Sequence, residues 1–568
     1  MDGGPVPAVG RVIGTEDATP LEFWVAVGEG QFLQLDDVVA LERIPPGRDP
    51  VRIYGVVSQV RARHEGARFD SDVFLVSDGI LPAEVSEAAQ IIPTRFEPEV
   101  FVPPLPGSEV RRAIGAERDE ALFFDQMAAR LPAGLSREDE PLYLNLEFLD
   151  GTRGAHVNIS GISGVATKTS YATFLLYSLF NSGSLGAEAL NTKALVFNVK
   201  GEDLLFLDAP NARLDEAQAA RYPRLGLTAG AFPSVVICAP PRRGAANAVA
   251  DVASRAEGVR SVFWTIEQFC GDDLLQYLFT DAEDDRSQYP IVIGNVMARL
   301  RADAQSLGDG GVRIDGIEIR TFRDLVDLIA DRCEDDLHRF DWAGRSIGQG
   351  TVGAFVRRLY AAIRHVEHLI RADVAHPERH RIDLDAQVTV VDLHNLHDRA
   401  KRFMVGVTLR KAFEEKERTG QSRPLRFVVL DELNKYAPRE GSSPIKELLL
   451  DIAERGRSLG VILIGAQQTA SEVERRVIAN SSIRVVGRLD PAESGRDEYG
   501  FLPPTQRQRA TILKPGTMLV SQPELPVPMV CEFPFPAWAT RVSERGAVTP
   551  GGAAEPSVPA DPFEDLVG

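Results

Sequence analysis

Short apolar runs alternate with turn residues over the first hundred positions of the chain. The runs are GRVIG, EFWVAVG, FLQLDDVVAL, VRIYGVVSQV and DVFLV, and Gly, Pro and Asp separate them. Short, closely spaced strands of this kind predict a small β-barrel. We therefore predict an N-terminal barrel over residues 1–110, in which the proline-rich segment 93–106 is an extended connector.

Beyond residue 140, apolar runs of strand length alternate with segments of helical period. The segment LYLNLEFLDG leads into this part of the chain, and the predicted strands after residue 190 are KALVFNVKGEDLLFLD, SVVICAP, QVTVVDLHNL, RFVVLDEL, GVILIGAQQ and SIRVVGRLD. Strands that alternate with helices predict an α/β fold with a parallel sheet. A mostly helical pattern interrupts this alternation, so we expect a core in two parts, 111–254 and 376–542, around a helical insertion at 255–375. Residues 543–568 are rich in Gly, Ala and Pro and predict a disordered tail.

Composition adds three expectations to this picture. No apolar run approaches the roughly 20 residues of a membrane span, and the first ten residues lack a signal-peptide pattern, so we expect no membrane segment. Four scattered cysteines without a C-x-x-C pair argue against a zinc site and indicate a reducing, cytoplasmic location. The net charge of −19 means that any nucleic-acid surface must be a local basic lining.

Residues 154–180, GAHVNISGISGVATKTSYATFLLYSLF, combine a strand, a glycine-rich turn and a helix. Such a turn presents backbone N–H groups to phosphates at the positive end of the helix dipole. A lysine then reaches the outer phosphates and a hydroxyl binds Mg²⁺. The segment thus predicts an ATP site with Lys168 as a catalytic cation and Thr169 as a Mg²⁺ ligand. The predicted nucleotide-binding residues are Gly161, Gly164, Val165, Ala166, Thr167, Lys168, Thr169 and Ser170.

This turn departs from the usual G-x-x-x-x-G-K-[ST] pattern. Thr167 stands where a glycine normally precedes the lysine, and the first glycine, Gly161, comes one place early. An ordinary glycine turn before a helix would have the same composition, so the segment needs independent support.

A second motif, RFVVLDELNKYAP at 426–438, supplies that support. An apolar strand that ends in Asp431 and Glu432 is a Walker B arrangement. Asp431 would hold Mg²⁺ through water, and Glu432 would polarise the water that attacks the γ-phosphate.

Two further candidates lie in DIAERGRSLGVILIGAQQTASEV, downstream of the acidic pair. Gln467 ends a predicted strand, where its amide could sense the γ-phosphate. Arg455 and Arg457 lie near the end of the preceding helix, from which an arginine could reach the nucleotide of a neighbouring subunit. A solvated helix end would explain the two arginines equally well.

Together these motifs resemble the HerA group of the HerA–FtsK superfamily of DNA-pumping ATPases. The resemblance covers the barrel with GRVIG, the P-loop, the helical insertion, DELNKYAP, ERGRSLG, GAQQT and the closing TILKPGTMLVSQ. DELNKYAP has Asn434 where the family has His, and NVKGE has Asn198 where an aspartate is usual but retains Glu202, a nucleotide-site residue. The resemblance implies a RecA-like core, ATP with Mg²⁺, and a homohexamer that passes double-stranded DNA through its pore. It also implies a NurA-like nuclease docked on the barrel face, in DNA end resection and repair.

Two alternatives to a DNA translocase remain open at this stage. The ring could be a slowly hydrolysing, ATP-bound scaffold that presents a nuclease or a phage-defence effector. A ring that handles protein is less favoured, because nothing in the chain resembles an aromatic pore loop.

The segment 338–381 is locally basic and is our candidate for the DNA contacts. It contains a glycine-rich stretch, GRSIGQGTVGAF, which we expect to be a loop, and Arg357 and Arg358, which we expect to open a helix. Arg345, Arg357 and Arg358 would grip the backbone without recognising bases. A solvated helix face is the alternative, and Lys200 would be the next candidate.

Overall fold

The computed structural model describes residues 7–65, 69–162, 167–279 and 288–546. It confirms the predicted α/β class: a large sheet with a long parallel part lies beside an N-terminal closed barrel. No helix in the described part of the chain is both long and apolar enough to cross a membrane.

Six antiparallel strands close the barrel in the order β1-β2-β5-β4-β3-β6. They are β1 (Ala8–Val12), β2 (Phe23–Val27), β3 (Val38–Arg43), β4 (Val51–Glu65), β5 (Glu84–Glu97) and β6 (Glu109–Arg112). Alternate side chains such as Val25, Ile53 and Ile91 point into a common apolar core, as expected of a small filled barrel.

Two details of the barrel differ from the prediction. DVFLV is not a strand but part of helix α1 (Asp72–Ser77), at the end of the β4–β5 hairpin. No described strand adjoins it there, so local helical hydrogen bonds satisfy its backbone. In addition, β5 continues to Glu97, so the predicted connector begins inside a strand. Pro93 is tolerated because the β4–β5 register shifts beside it, between Tyr54 and Gly55.

The remaining strands belong to two sheets. Before the helical segment come β7 (Arg130–Leu135), β8 (Pro141–Asn145), β9 (Val157–Ser160), β10 (Lys193–Asn198), β11 (Val235–Ala239) and β12 (Val259–Ser261). Within it, β13 (Gln305–Ser306), β14 (Val312–Ile314) and β15 (Ile317–Ile319) form a small antiparallel sheet. After it come β16 (Val388–Asp392), β17 (Arg426–Leu430), β18 (Val461–Gln467), β19 (Ile483–Val486), β20 (Thr517–Ser521) and β21 (Met529–Glu532).

The large sheet has the order β12-β11-β16-β10-β17-β18-β9-β19-β20-β21-β7-β8. Strands β12 to β19 of this order run parallel, whereas β20, β21, β7 and β8 pair antiparallel. Central strand β10 is buried on both faces: Leu195 and Phe197 face one apolar core, and Ala194 and Val196 face the other. Such a strand requires the continuous apolar run that its sequence shows.

Helices cover the sheet and fill the insertion. After α2 (Ala116–Ala121) come α3 (Thr167–Asn181), α4 (Glu216–Ala219), α5 (Arg221–Arg224), α6 (Ile266–Gly271), α7 (Tyr289–Asp303), α8 (Phe322–Glu334), α9 (Arg339–Trp342) and α10 (Gln349–Val366). The second half contains α11 (Asp398–Thr419), α12 (Leu433–Tyr436), α13 (Pro444–Leu459), α14 (Arg475–Ala479), α15 (Pro491–Ser494) and α16 (Pro504–Ala510).

Helix α10 begins earlier than the sequence predicted. Gly348 is its N-cap and the helix starts at Gln349, so most of the glycine-rich stretch is helical and not a loop. Arg357 and Arg358 therefore lie inside the helix and do not open it. Apolar residues at helical spacing, Val352, Phe355 and others, pack into the core and outweigh the low helix propensity of the glycines.

The barrel and the core are tied by a bidentate ion pair. Both carboxylate oxygens of Asp36 accept from the Arg509 guanidinium, at 2.8 and 2.6 Å. At the other end, the chain remains structured beyond the predicted start of the tail, since Arg545 bridges to Asn211. The rest of the predicted tail, 547–568, lies outside the described residues.

Candidate nucleotide site

The predicted phosphate-binding turn joins the carboxyl end of β9 to helix α3. Gly164, Val165 and Ala166 lie outside the described residues, as does the Thr167 side chain. Gly161, at the start of the turn, lies close to the chain segment at Arg488. A Cβ on Gly161 would lie 3.2 Å from the Arg488 carbonyl oxygen, which favours a residue without a side chain. The glycine N–H donates to the Gln467 carbonyl at 3.2 Å.

Lys168 lies in the first turn of α3 and is buried, with 5% exposure. Its ammonium group donates to the carbonyl oxygens of Gly161, at 2.6 Å, and Ile162, at 3.3 Å. Burial lowers the pKa of this lysine to about 8, although the nearby Asp431 carboxylate acts in the opposite direction. A buried cation held against the turn is the group that an incoming phosphate would neutralise.

The hydroxyl and the acidic pair meet across the sheet. Thr169 Oγ1 donates to Asp431 Oδ2 at 3.2 Å, although 262 positions separate the two residues. Strand β18 lies between β9 and β17, so the turn after β9 and the acids after β17 reach one another over its carboxyl end. Two adjacent oxygen ligands fit Mg²⁺, which usually takes one or two protein carboxylates together with substrate phosphates.

Glu432 follows Asp431 in a left-handed backbone conformation, with φ of 56°. This conformation costs a non-glycine residue about 1–3 kcal/mol and is typical of functional sites. The Glu432 N–H donates to Asp431 Oδ1 at 2.8 Å, which holds the two acids in a fixed relation.

Two lysines neutralise this acidic pair. Lys435 Nζ lies 2.8 Å from Glu432 Oε2, and Lys200 Nζ lies 3.3 Å from Glu432 Oε1 and 3.5 Å from Asp431 Oδ2. Burial alone would raise the pKa of Glu432, but the two ammonium groups outweigh it and hold that pKa below its ordinary value. The carboxylate is therefore charged, as a group that orients water must be.

Gln467 ends β18 and is fully buried. Its Nε2 donates to Asn158 Oδ1 and Ser160 Oγ, both at 2.9 Å. In this state the side-chain amide is used within the sheet, beneath the turn, and its predicted contact with the γ-phosphate stays a prediction.

Glu202 does not line the cleft that holds Lys168 and Asp431. Its two carboxylate oxygens accept from the backbone N–H groups of Ala253 and Ser254, at 2.7 and 2.6 Å. The neighbouring His394 lies 3.7 Å away. Glu202 therefore links two loops through these hydrogen bonds. Its direct role in nucleotide binding remains a prediction.

Asn198 occupies the position where the resemblance leads us to expect an aspartate. Its Nδ2 donates to Asp392 Oδ1 at 2.8 Å and to the Gly201 carbonyl at 2.9 Å. An amide can donate to both acceptors at once, whereas a carboxylate at this place would face Asp392 with like charge.

Arg455 and Arg457 lie near the end of helix α13, at some distance along the chain from the acids. Arg457 donates to the carbonyl oxygens of Gly151, at 3.1 Å, and Thr152, at 2.6 Å. Arg455 pairs with Glu417 at 2.5 Å. Both guanidinium groups are exposed, and neither lines the cleft of its own chain.

The cleft itself includes residues that the sequence did not single out. Its lining comprises Ile162, Lys168, Thr169, Ser170, Phe197, Asn198, Val199, Lys200, Asp203, Leu204, Asp431, Thr540 and Arg541. Arg541 forms an ion pair with Asp203 and lies 110 positions beyond Asp431. No local pattern marks Arg541, whereas Lys435 could have been found from its i,i+3 spacing to Glu432.

The three arginines proposed for DNA differ in exposure. Arg345 and Arg357 are exposed and form no ion pair within the described ranges. Arg358 is partly buried, and its guanidinium lies 4.4 Å from the centre of the Tyr289 ring. Only the first two present free cationic groups.

Solved structures of other proteins are similar to this one at low sequence identity. No family model matches the chain, and no curated protein matches it. The structure is similar to VirB4 of Thermoanaerobacter pseudethanolicus, with 16% identity, coverage of 72% of this chain and 96% of that chain, and a TM-score of 0.44. It is also similar to the plasmid coupling protein TrwB in complex with a non-hydrolysable GTP analogue, with 11% identity, coverage of 76% and 95%, and a TM-score of 0.47. The function proposed below rests on the site itself.

Proposed function

We propose that this protein is an ATPase that uses the cleft around Lys168. The observation that carries the proposal is the Thr169–Asp431 hydrogen bond, which brings a predicted Mg²⁺ ligand pair together from two separate motifs. Lys168 would bind the outer phosphates, and Glu432 would orient the attacking water. A bound Mg²⁺ would neutralise phosphate charge, held by Thr169 directly and by Asp431 through water.

We further propose that the ATPase works as a homohexameric ring that moves duplex DNA. The resemblance to the HerA group and the order of the motifs support this proposal. Arg455 and Arg457 also support it, because each is exposed and does not line the cleft of its own chain, as expected of an arginine that acts on a neighbouring subunit.

The barrel would dock a NurA-like nuclease in DNA end resection. Large apolar side chains on the barrel, among them Phe69, Phe74 and Phe101, are more than half exposed. Such residues suit a protein interface better than solvent. The test compares the affinity of a NurA-like nuclease for the wild type and for Phe74→Ser, which should bind it more weakly. Equal affinities would argue against this surface.

Steady-state ATP turnover with and without linear duplex DNA tests the motor proposal. We expect turnover that duplex DNA stimulates, in a particle whose mass by light scattering is that of six chains. Absence of turnover in both conditions would contradict the assignment.

Two observations favour the slow, ATP-bound scaffold as the second candidate. Both carboxylate oxygens of Glu432 are engaged by lysines, and Thr167 replaces the usual glycine of the turn. A scaffold would bind ATP tightly and assemble, yet show the same negligible turnover whether or not DNA is present.

A further inference from the structure

A cluster of histidines and arginines lies where the end of helix α10 meets the start of α11. We call it the histidine–arginine cluster; its members are Arg243, Arg364, His365, His368, Arg371, His397 and Arg399. The rings of His365 and His397 stack with their centroids 3.8 Å apart and their planes at 20°. Arg364 Nε donates to His365 Nε2 at 2.8 Å. None of these residues lines the nucleotide cleft.

Two cations of the cluster have no acidic partner in the described part of the chain. Arg371 is neutralised by Asp373, with contacts of 2.5 and 2.6 Å. Arg243 and Arg364 are exposed, and across the described ranges neither is within ion-pair distance of a carboxylate. Both arginines act electrostatically on His365, so an anion beside that ring would face two guanidinium groups that have no counter-charge in the described ranges.

Two buried imidazoles of the cluster have lowered pKa values. Burial is the main cause for His365, and His397, Arg364, Arg399 and Arg243 add to it, so that the pKa of His365 falls to about 4. His368 behaves alike: burial brings its pKa to about 4 with help from Arg243 and Arg371. Its Nδ1 is buried without a hydrogen-bond partner. An anion at the cluster would supply the missing counter-charge and would favour protonated imidazoles.

We propose that the histidine–arginine cluster binds a phosphate-class oxyanion at a site separate from the ATP cleft. Guanidinium groups recognise such oxyanions through paired N–H donors, and charged imidazole adds a further donor. His397 is also the N-cap of α11, a helix of 22 residues, so the positive end of its dipole adds to the attraction, although Asp398 in the first turn partly offsets it. The phosphate is either a backbone group of a nucleic acid or a free phosphate species. Neither source requires the chain to hydrolyse ATP, so this site is independent of the ATPase assignment.

The test uses the full chain with Lys168→Ala, which removes the main phosphate contact of the cleft. In this background, the cluster variant carries Arg243→Gln and Arg364→Gln. The matched control variant carries Arg48→Gln and Arg213→Gln in the same background. The control arginines are also exposed and have no side-chain ion pair in the described segments. The probes are a short labelled duplex, followed by anisotropy, and inorganic pyrophosphate, followed by calorimetry.

We expect the cluster variant, and not the control, to lose affinity. If the source is a nucleic-acid backbone, duplex binding weakens at least about tenfold, and the slope of log affinity against log salt falls by about 0.9 for each lost contact. If the source is a free phosphate species, pyrophosphate binding weakens instead. Unchanged affinity for both probes would overturn the proposal.

A second variant separates the chemistry from damage to the fold. His397→Asn removes the imidazole but keeps a good N-cap for α11. We expect binding by the parent chain to strengthen as the pH falls toward about 4, because His365 and His368 take up protons more readily beside a bound oxyanion. His397→Asn should change this dependence, because it removes the ring that stacks on His365. A parent affinity that does not change with pH would contradict the role of the histidines. When Lys168 is retained, Arg243→Gln with Arg364→Gln should leave basal ATP turnover at the wild-type rate.

Discussion

The Lys200 ammonium group forms an ion pair with the Glu432 carboxylate, with 3.3 Å between Nζ and Oε1. The same ammonium lies 3.5 Å from Asp431. Lys200 therefore supplies, in the nucleotide-free chain, part of the positive charge that Mg²⁺ would bring to these acids.

Lys200→Gln should make the nucleotide-free protein more dependent on Mg²⁺. Without the lysine, two neighbouring carboxylates repel, so we expect the melting temperature without Mg²⁺ to fall by about 2 °C or less, as for a partly exposed ion pair. Added Mg²⁺ should then raise it by more than in the wild type. Lys514→Gln, at an exposed lysine remote from the cleft, is the control. Equal responses of the two variants to Mg²⁺ would argue against this role.

ATP affinity should depend on pH through Lys168. Its pKa is lowered to about 8 in the empty site, and bound phosphate favours the charged form. Below pH 8 the lysine is already charged and affinity is level. Above it, binding must take up a proton, so affinity falls by up to about tenfold per pH unit until the pKa of the complex is reached. Titrations with a fluorescent ATP analogue measure this dependence.

Lys168→Ala should abolish hydrolysis and leave the fold intact. It should also remove the pH dependence of any residual binding, because the titrating group is gone. Circular dichroism and the melting temperature check the fold. A persistent dependence above pH 8 in this variant would mean that another group titrates.

Glu432→Gln should bind ATP and fail to cleave it. The amide keeps the size of the side chain but cannot polarise water, so we expect turnover to fall by about 10²–10⁴ with little change in ATP affinity. The variant also weakens the ion pairs with Lys200 and Lys435, so its melting temperature is measured in parallel. Hydrolysis at the wild-type rate would make the Walker B assignment wrong.

Arg457 should act on the nucleotide of a neighbouring subunit. Arg457→Ala alone should lose much of the factor of about 10³–10⁵ that such arginines contribute where they have been measured. Rings mixed from Arg457→Ala and Lys168→Ala subunits should regain some activity, because some interfaces recover both groups. Arg455→Ala serves as comparison, since Arg455 is held by Glu417. Absence of recovery in rings shown to be mixed would count against the trans role.

Neutralising Arg345 and Arg357 should weaken duplex binding equally for unrelated sequences. Each lost phosphate contact lowers the salt slope by about 0.9. Arg358→Gln is the matched comparison and should have less effect on DNA, because its guanidinium packs over Tyr289. Basal ATP turnover should not change. An unaltered affinity and salt slope in the double variant would place the DNA contacts elsewhere.

Local pattern was enough to predict the elements that carry the site. The apolar runs at β10, β17 and β18 are continuous because these strands are buried on both faces, so their place and their polar ends can be predicted from the residues alone. The same reasoning failed at DVFLV and at the start of α10. In both places local composition leaves helix and other conformations nearly equal in free energy, so the tertiary surroundings decide. For DVFLV these surroundings are the end of a hairpin, and for α10 they are the core against which the helix packs.

The sequence by itself determined the α/β class, the barrel and the two motifs with Lys168 and Asp431, because periodicity and turn chemistry act over a few neighbouring residues. Only the tertiary structure decided which distant side chains meet. The sheet order places β18 between β9 and β17 and so brings Thr169 to Asp431. The same holds for Lys200 at Glu432, and for the stacked rings of His365 and His397. Contacts between residues so far apart along the chain depend on the packing of whole elements, which no local pattern encodes.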